Sequence, residues 1–410
     1  MIYLLLSAIF YLFIFLLTIG FAYIAERSYP KADSNSYQAI STSRRSVSSA
    51  KVIQRRVAII LAILIPCIVA AIRDTTVGVD TSGYPISHMQ IASQLSSVSQ
   101  IVERLSLGSE YLYAIILFLC SRVTSDYWLI LFVYQLLTIV PIMATAIKIR
   151  NRAPMSVTMA IYMLVFFNNS LNMMRQSVSC AFILYGIITI LEDNKITKKA
   201  VISLLVAVFF HKSGIIGLIS IAGVLFASKI GKKVLKYATY ILIVLLPSLA
   251  TGLYEYLLAA TPLRDNVSFL GYGDMFLYRR LDYGWDLFIN PYNIYSMTFV
   301  IIQVFMMLVP LLYSRKTDTK SDVLFQSLRT INVCGLLTYL SILFGMKTMY
   351  GIRFSLFFDF FYVVSLSNAT GLGKNRKAKK VFLVLILIAF WFLWVVINDW
   401  SGSAAYKTRF

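Results

Sequence analysis

The sequence predicts an all-α, polytopic helical membrane protein of about 12 transmembrane helices plus short half-helices, and three observations carry that prediction. Of 410 residues, 59% are hydrophobic and 14% charged, with a mean hydropathy of +0.76; so much apolar surface has no place in a water-soluble core. The apolar residues come in blocks of about 20, the length that crosses a hydrocarbon core of roughly 30 Å as helix. Their strict alternation, the mark of a membrane β-barrel, is missing. The net charge of +20 falls in short runs between the blocks, where cytoplasmic loops facing anionic lipid explain it without nucleic acid.

Each element follows from charge and length. A first span, about Ile2 to Ala25, has no basic leader region or small-residue cleavage site, so it should stay in the membrane. Residues 26–56 then form a Ser-rich linker carrying Arg44, Arg45, Lys51, Arg55 and Arg56, cytoplasmic by sign. Val57 to Ile72 runs outward to the polar stretch RDTTVGVDTSGY, Arg73 to Tyr84. This presents Asp80, Thr81 and Tyr84 at the bilayer boundary, where a polar head group would sit; the plain alternative is an interfacial loop whose Arg73 and Asp74 only cap the span. Residues 73–109 make an external motif with an interfacial amphipathic helix over Pro85 to Ser109.

Tyr111 to Cys120 is too short to cross and reads as a half-helix, whereas Tyr127 to Ile147 spans and ends in Lys148, Arg150 and Arg152. Met155 to about Phe167 leads outward to NNSLNMMRQ, which sets Arg175 and Gln176 near the start of the segment returning to Glu192. The stretch from Lys199 to Lys229 is broken at His211-Lys212-Ser213-Gly214 and falls short of two full crossings, which leaves His211 and Lys212 at a helix break near the outer surface. Tyr237 to Leu258 goes out to the largest external loop, 259–291, in which Arg279, Arg280, Asp282, Tyr283 and Trp285 stand together. Aromatic faces beside carboxylates and guanidinium groups suit sugar rings, although an aromatic belt at head-group level reads the same way. Asn293 to Tyr313 returns, Leu324 to Phe344 goes out, Phe354 to Leu372 comes back with Arg353 at its outer start and Asp359 deeper, and Val381 to Ile397 ends outside. An acid inside a span is a functional candidate, or the partner of an arginine.

The four cysteines lie in apolar segments without ligand spacing, and with two histidines in the chain no metal site is expected. Arg73, Arg175, His211, Lys212, Arg279, Arg280, Lys347 and Arg353 all fall at or just beneath the external face. Several cations at that depth call for an anion, and phosphate or pyrophosphate on a lipid is the common one there; a single arginine would merely snorkel.

The order R-D-T-x-x-G-x-D-T-x-x-Y at Arg73 to Tyr84, EYLY at Glu110 to Tyr113, RQ at Arg175 and Gln176, HKSG at His211 to Gly214, and Arg353 opening a late helix resembles the EpsG family of Wzy-like bacterial polymerases of exopolysaccharide, capsule and O-antigen. The resemblance covers about Ile65 to Leu366 and leaves the loop 259–291, hence the sugar, undecided. It implies a GT-C-like multi-pass protein of the bacterial cytoplasmic membrane, its site facing outward. The implied reaction joins undecaprenyl-pyrophosphate-linked oligosaccharides and releases undecaprenyl pyrophosphate, with membrane lipids and a chain-length regulator as partners and no cofactor. Arg73, Arg175, Arg353 and Lys212 are then the pyrophosphate ligands. His211, Asp80 and Asp74 are the candidate bases, His211 the favoured one unless it only caps the broken helix. Tyr84, Gln176, Arg279, Arg280, Asp282, Tyr283 and Trp285 are the candidate glycan contacts. A ligase using the same cationic site, and a flippase or transporter of lipid-linked oligosaccharide, are the alternatives; the lack of two similar halves counts against the transporter.

Overall fold

A computed structural model describes residues 2–30, 48–243, 304, 308, 322–343, 348–371, 375–397, 399 and 401–410, with backbone alone for 339–343 and 348–352. Among the described residues the protein is helical, without strands. Helix α1 is Ile2–Arg27, α2 Ser49–Ile72, α3 Tyr84–Gln94, α4 Val98–Arg104, α5 Tyr111–Val123 and α6 Trp128–Lys148. Then come α7 Met155–Ile161, a π-turn Tyr162–Phe166 and α8 Phe167–Asn172, followed by α9 Met174–Asp193, α10 Lys198–Phe210 and α11 Ser213–Ser228. After the gap, α12 is Val323–Leu343, α13 Thr348–Asp359, α14 Tyr362–Gly371 and α15 Arg376–Trp391, continued by a π-turn Phe392–Ile397.

Helices α6 and α9 form the centre of the bundle. Small residues on α9, Ser177, Ser179, Cys180 and Ala181, are all buried and let α6 and α10 approach closely, the way helices pack in lipid. Helix α2 lies against α1 and α6. On the periphery α1 turns Leu5, Leu6, Ile9, Phe13 and Leu16 outward, as α15 does Val381, Phe382 and Leu385. Hydrocarbon covers such side chains at no cost. Pro66 and Pro141 sit inside α2 and α6, tolerated because neighbouring helices brace a membrane helix.

The chain carries several helices apolar enough for a membrane protein. Among the described residues five helices are long and apolar enough to cross: Ile2–Arg27, Ser49–Ile72, Trp128–Lys148, Met174–Asp193 and Arg376–Ile397. Three shorter apolar helices join them, at Tyr111–Val123, Ser213–Ser228 and Val323–Thr338. The expected half-helix at Tyr111 and the short broken pair at His211 are among the elements found. Most of the expected spans Tyr237 to Leu258 and Asn293 to Tyr313, and the whole loop 259–291, lie outside the described residues.

Three local expectations need correction. Helix α2 starts at Ser49, so Lys51, Arg55 and Arg56 belong to its first turns rather than to a linker; Arg55 lies over the Tyr29 ring at 4.5 Å. The expected amphipathic helix over Pro85 to Ser109 is two helices, because Ser97 ends the first run and caps α4 by accepting from the Gln100 N–H at 3.3 Å. The segment around Arg353 is also two helices, α13 and α14, parted at Phe360 and Phe361. Arg353 is therefore inside α13, and Asp359 is its last residue.

The bundle has a basic end and a motif end. At the basic end Lys148 meets Asp193 at 2.6 Å, Arg152 meets Glu192 at 2.5 Å and also Asp322, and Glu26 accepts from Ser156 Oγ at 3.0 Å. At the motif end the last ten residues fold back over α1 and α2. Tyr406 donates to the Val69 carbonyl at 2.8 Å, the Arg409 N–H to Ile72 at 2.9 Å, and Arg73 and Thr408 form an isolated antiparallel bridge.

Candidate functional site

The 73–84 stretch is a clamp on the break between α8 and α9. Arg73 closes α2 in extended conformation and is 1% exposed. Its Nη2 donates to the Leu171 carbonyl at 2.8 Å and to Thr81 Oγ1 at 3.1 Å. Gly78, with φ +90°, lets the turn lie so near that a Cβ would be 2.9 Å from the Leu171 carbonyl oxygen, a conformation that glycine alone adopts cheaply. The Asp80 N–H donates to Asn172 Oδ1 at 2.8 Å. Asp74 folds onto its own turn, accepting from the Thr76 N–H at 3.0 Å and Thr76 Oγ1 at 2.8 Å; these bonds hold its carboxyl below the usual range. The Arg73 guanidinium is a buried strut, its hydrogen bonds going to the loop, to α8 and to Met174 of α9. Asp74 is likewise committed locally.

What the clamp positions is the first turn of α9, where Arg175 is the second residue. A cation gains nothing from a helix N-terminus, whose dipole repels it. Arg175 is compensated by Glu110: its Nη1 donates to Glu110 Oε2 at 2.5 Å. It also lies between two rings, 4.5 Å from the Tyr84 centroid and 4.9 Å from that of Tyr113, a desolvated cation–π setting. Its side chain keeps 21% exposure, so one side stays open.

Glu110 immediately precedes α5 and its side chain is 2% exposed. Oε1 accepts from the backbone N–H of Lys212 at 3.0 Å and is 2.7 Å from His211 Nδ1. The break that brings these two residues here rests on Gly214, at which any Cβ would collide with Ser179 of α9 and the Ala207 carbonyl of α10. Glu110 and His211 both lie in connections between helices. Burial pushes the Glu110 carboxyl up, but the His211 hydrogen bond, Arg175 and the Lys212 N–H outweigh it and bring it down to about 2. For His211, burial is the main cause of a pKa below the ordinary 6.5, Glu110 opposing and Arg175 and Lys212 adding to it.

Around this core, His88 of α3 holds the Tyr113 hydroxyl at 2.7 Å through Nδ1. Gln176 donates through Nε2 to the backbone carbonyl of Arg353, which ties α13 to α9 beside Arg175. The structure thus brings Tyr84, Arg175, Gln176, His211, Lys212 and Arg353 to one end of the bundle, with Arg73, Asp74 and Asp80 in the wall behind. Arg279, Arg280, Asp282, Tyr283 and Trp285, like Lys347, lie outside the described residues. Sequence reading gave Glu110, Tyr113 and His88 no role at the site. The signal for the first two was the EYLY motif, which supplies both the carboxylate and one of the rings around Arg175; nothing in the sequence marked His88.

This end gathers a guanidinium, an imidazole and a backbone N–H on one buried carboxylate. A family model matches residues 56–408, that of the EpsG family. No curated protein and no solved structure matches the chain. With the matched residues running through every motif that builds the site, the chain belongs to the EpsG family, a family of Wzy-like polysaccharide polymerases.

Proposed function

We propose that this protein joins oligosaccharide repeat units carried on undecaprenyl pyrophosphate, at the external face of the bacterial cytoplasmic membrane, and releases undecaprenyl pyrophosphate. The observation that supports it most is the meeting of His211, the Arg175 guanidinium and the backbone N–H of Lys212 around one buried carboxylate at the end opposite the basic loops. By the positive-inside rule that end is outside.

In the proposed reaction a hydroxyl at the non-reducing end of one repeat unit loses its proton to His211 as its oxygen attacks the anomeric carbon of a chain on a second lipid. The bond from that carbon to the pyrophosphate oxygen breaks, and the electron pair leaves on the phosphate. Arg175, Lys212 and Arg353 supply positive charge where it builds. Tyr84 and Gln176 frame the entry, and the loop 259–291 is the proposed reader of the sugar. No nucleotide sugar takes part. The GT-C-like architecture and a chain-length regulator as partner belong to the same reading.

The test is to supply purified protein in liposomes with synthetic lipid-linked repeat units. A ladder of products that disappears in His211→Ala supports a polymerase; transfer to a lipid A-type acceptor alone would make it a ligase, and movement of intact substrate across the bilayer without a ladder a transporter.

A further inference from the structure

An imidazole works as a base only from a nitrogen whose lone pair is available, so which nitrogen of His211 carries the hydrogen decides whether it can serve. The partners of Glu110 settle that question. A guanidinium N–H and a backbone N–H are donors under all conditions. Arg175 Nη1 donates to Oε2 at 2.5 Å and the Lys212 N–H to Oε1 at 3.0 Å, so both carboxylate oxygens are accepting. The remaining neighbour, His211 Nδ1 at 2.7 Å from Oε1, must bring its own hydrogen. That leaves the lone pair on Nε2.

We infer that Glu110 is a positioning residue that fixes His211 in its Nδ1–H tautomer and holds Arg175 through the other oxygen, so that one carboxylate aligns the base and the leaving-group cation. The inference rests on His211 being the base of the proposed transfer. The arrangement fits the needs of both partners. When His211 takes the hydroxyl proton on Nε2, it becomes an imidazolium whose Nδ1–H already faces a carboxylate, so the new charge forms beside its counter-ion. Glu110 takes no proton. The carboxylate joins the start of α5, the first turn of α9 and the α10–α11 break through one side chain, and those three elements carry the EYLY, RQ and HKSG motifs.

The chain contains two histidines, so nitrogen-15 histidine labelling gives two ring systems, assigned with a His88→Gln sample. In the resting wild-type protein in lipid nanodiscs, His211 is expected to show a protonated Nδ1 and an unprotonated Nε2. Glu110→Gln is expected to lose that single tautomer, to lower kcat on the order of 10²–10⁴-fold and to leave KM for the lipid-linked substrate near wild type. Glu110→Asp, with its carboxylate set back, should recover part of the loss.

Two results would overturn the inference: a wild-type His211 carrying its hydrogen on Nε2, or Glu110→Gln turning over at the wild-type kcat. If Glu110→Gln does not fold, the wild-type spectrum decides alone. If the wild type makes no ladder, the polymerase reading falls; the spectrum needs no substrate and reports separately whether Glu110 sets the tautomer.

Discussion

Glu110 and His211 are 101 residues apart in the chain and meet at 2.7 Å, the carboxylate buried before α5 and the imidazole in the α10–α11 break. The acid limb of the pH profile follows from this pair. Burial chiefly, with Arg175 and Lys212, holds the pKa of His211 below the ordinary 6.5, against the raising effect of Glu110. A base must be neutral, so activity should fall as pH drops through the folded pKa of His211, which lies below the ordinary 6.5. Removing the Glu110 charge removes a raising influence. In Glu110→Gln the limb should therefore move to still lower pH, read from kcat/KM against pH.

Arg175 stacks between Tyr84 and Tyr113 while pairing with Glu110, and the two roles respond differently to substitution. Arg175→Lys keeps a positive charge beside the buried acid, so folding should survive, but the planar fork and the stack are lost. Ladder formation should fall on the order of 10²–10³-fold. Arg175→Ala leaves a buried carboxylate unpaired, which costs about 3–5 kcal/mol, and should show in addition a lower melting temperature in detergent.

Arg73 should behave as a structural residue. Its guanidinium bonds the Leu171 carbonyl and Thr81, each bond to a charged group contributing about 1.5–3 kcal/mol. Arg73→Ala should lower the yield of folded protein, and Arg73→Lys should not restore it, because a strongly hydrated ammonium costs more to bury than the delocalised guanidinium whose Nη2 serves both acceptors. Gly78→Ala should act similarly, costing about 1–3 kcal/mol from its positive φ alone. Thermal unfolding measured beside activity per folded molecule separates this from a loss of catalysis.

The neutralising charge in the proposed reaction comes from Arg175, Lys212 and Arg353, and His211 Nδ1 is committed to Glu110. Chelation of divalent cations should therefore leave the polymerisation rate unchanged. A rate that collapses with chelator and returns with magnesium or manganese would contradict that assignment.

Much of this arrangement was legible in the sequence, and the rest was hidden for physical reasons. Apolar block length found α1, α2, α6 and the breaks at Tyr111 and His211, because length against bilayer thickness is a one-dimensional property. Charge sign separated the two ends. Sequence could not tell a cation that faces a ligand from one that holds the fold: Arg73 and Arg175 look alike in the chain, and only packing against Leu171 or Glu110 divides them. Glu110 escaped notice as a site residue because a lone acid ahead of a short helix reads as an N-terminal charge. Its three partners come from elements more than 60 residues away, Arg175 being 65 and His211 101 positions on. The split of α13 from α14 at Phe360 was hidden because the apolar run around Asp359 holds no Gly or Pro to mark a stop.

The most direct test of the central claim is the stoichiometry of the reaction. Purified protein in liposomes would receive a radiolabelled lipid-linked repeat unit, with no nucleotide, and glycosidic bonds and free undecaprenyl pyrophosphate would be counted from the same samples. The account predicts one lipid pyrophosphate released for each bond formed, both falling together in Glu110→Gln and His211→Ala. Bond formation without pyrophosphate release, or release that continues undiminished in His211→Ala, would contradict it.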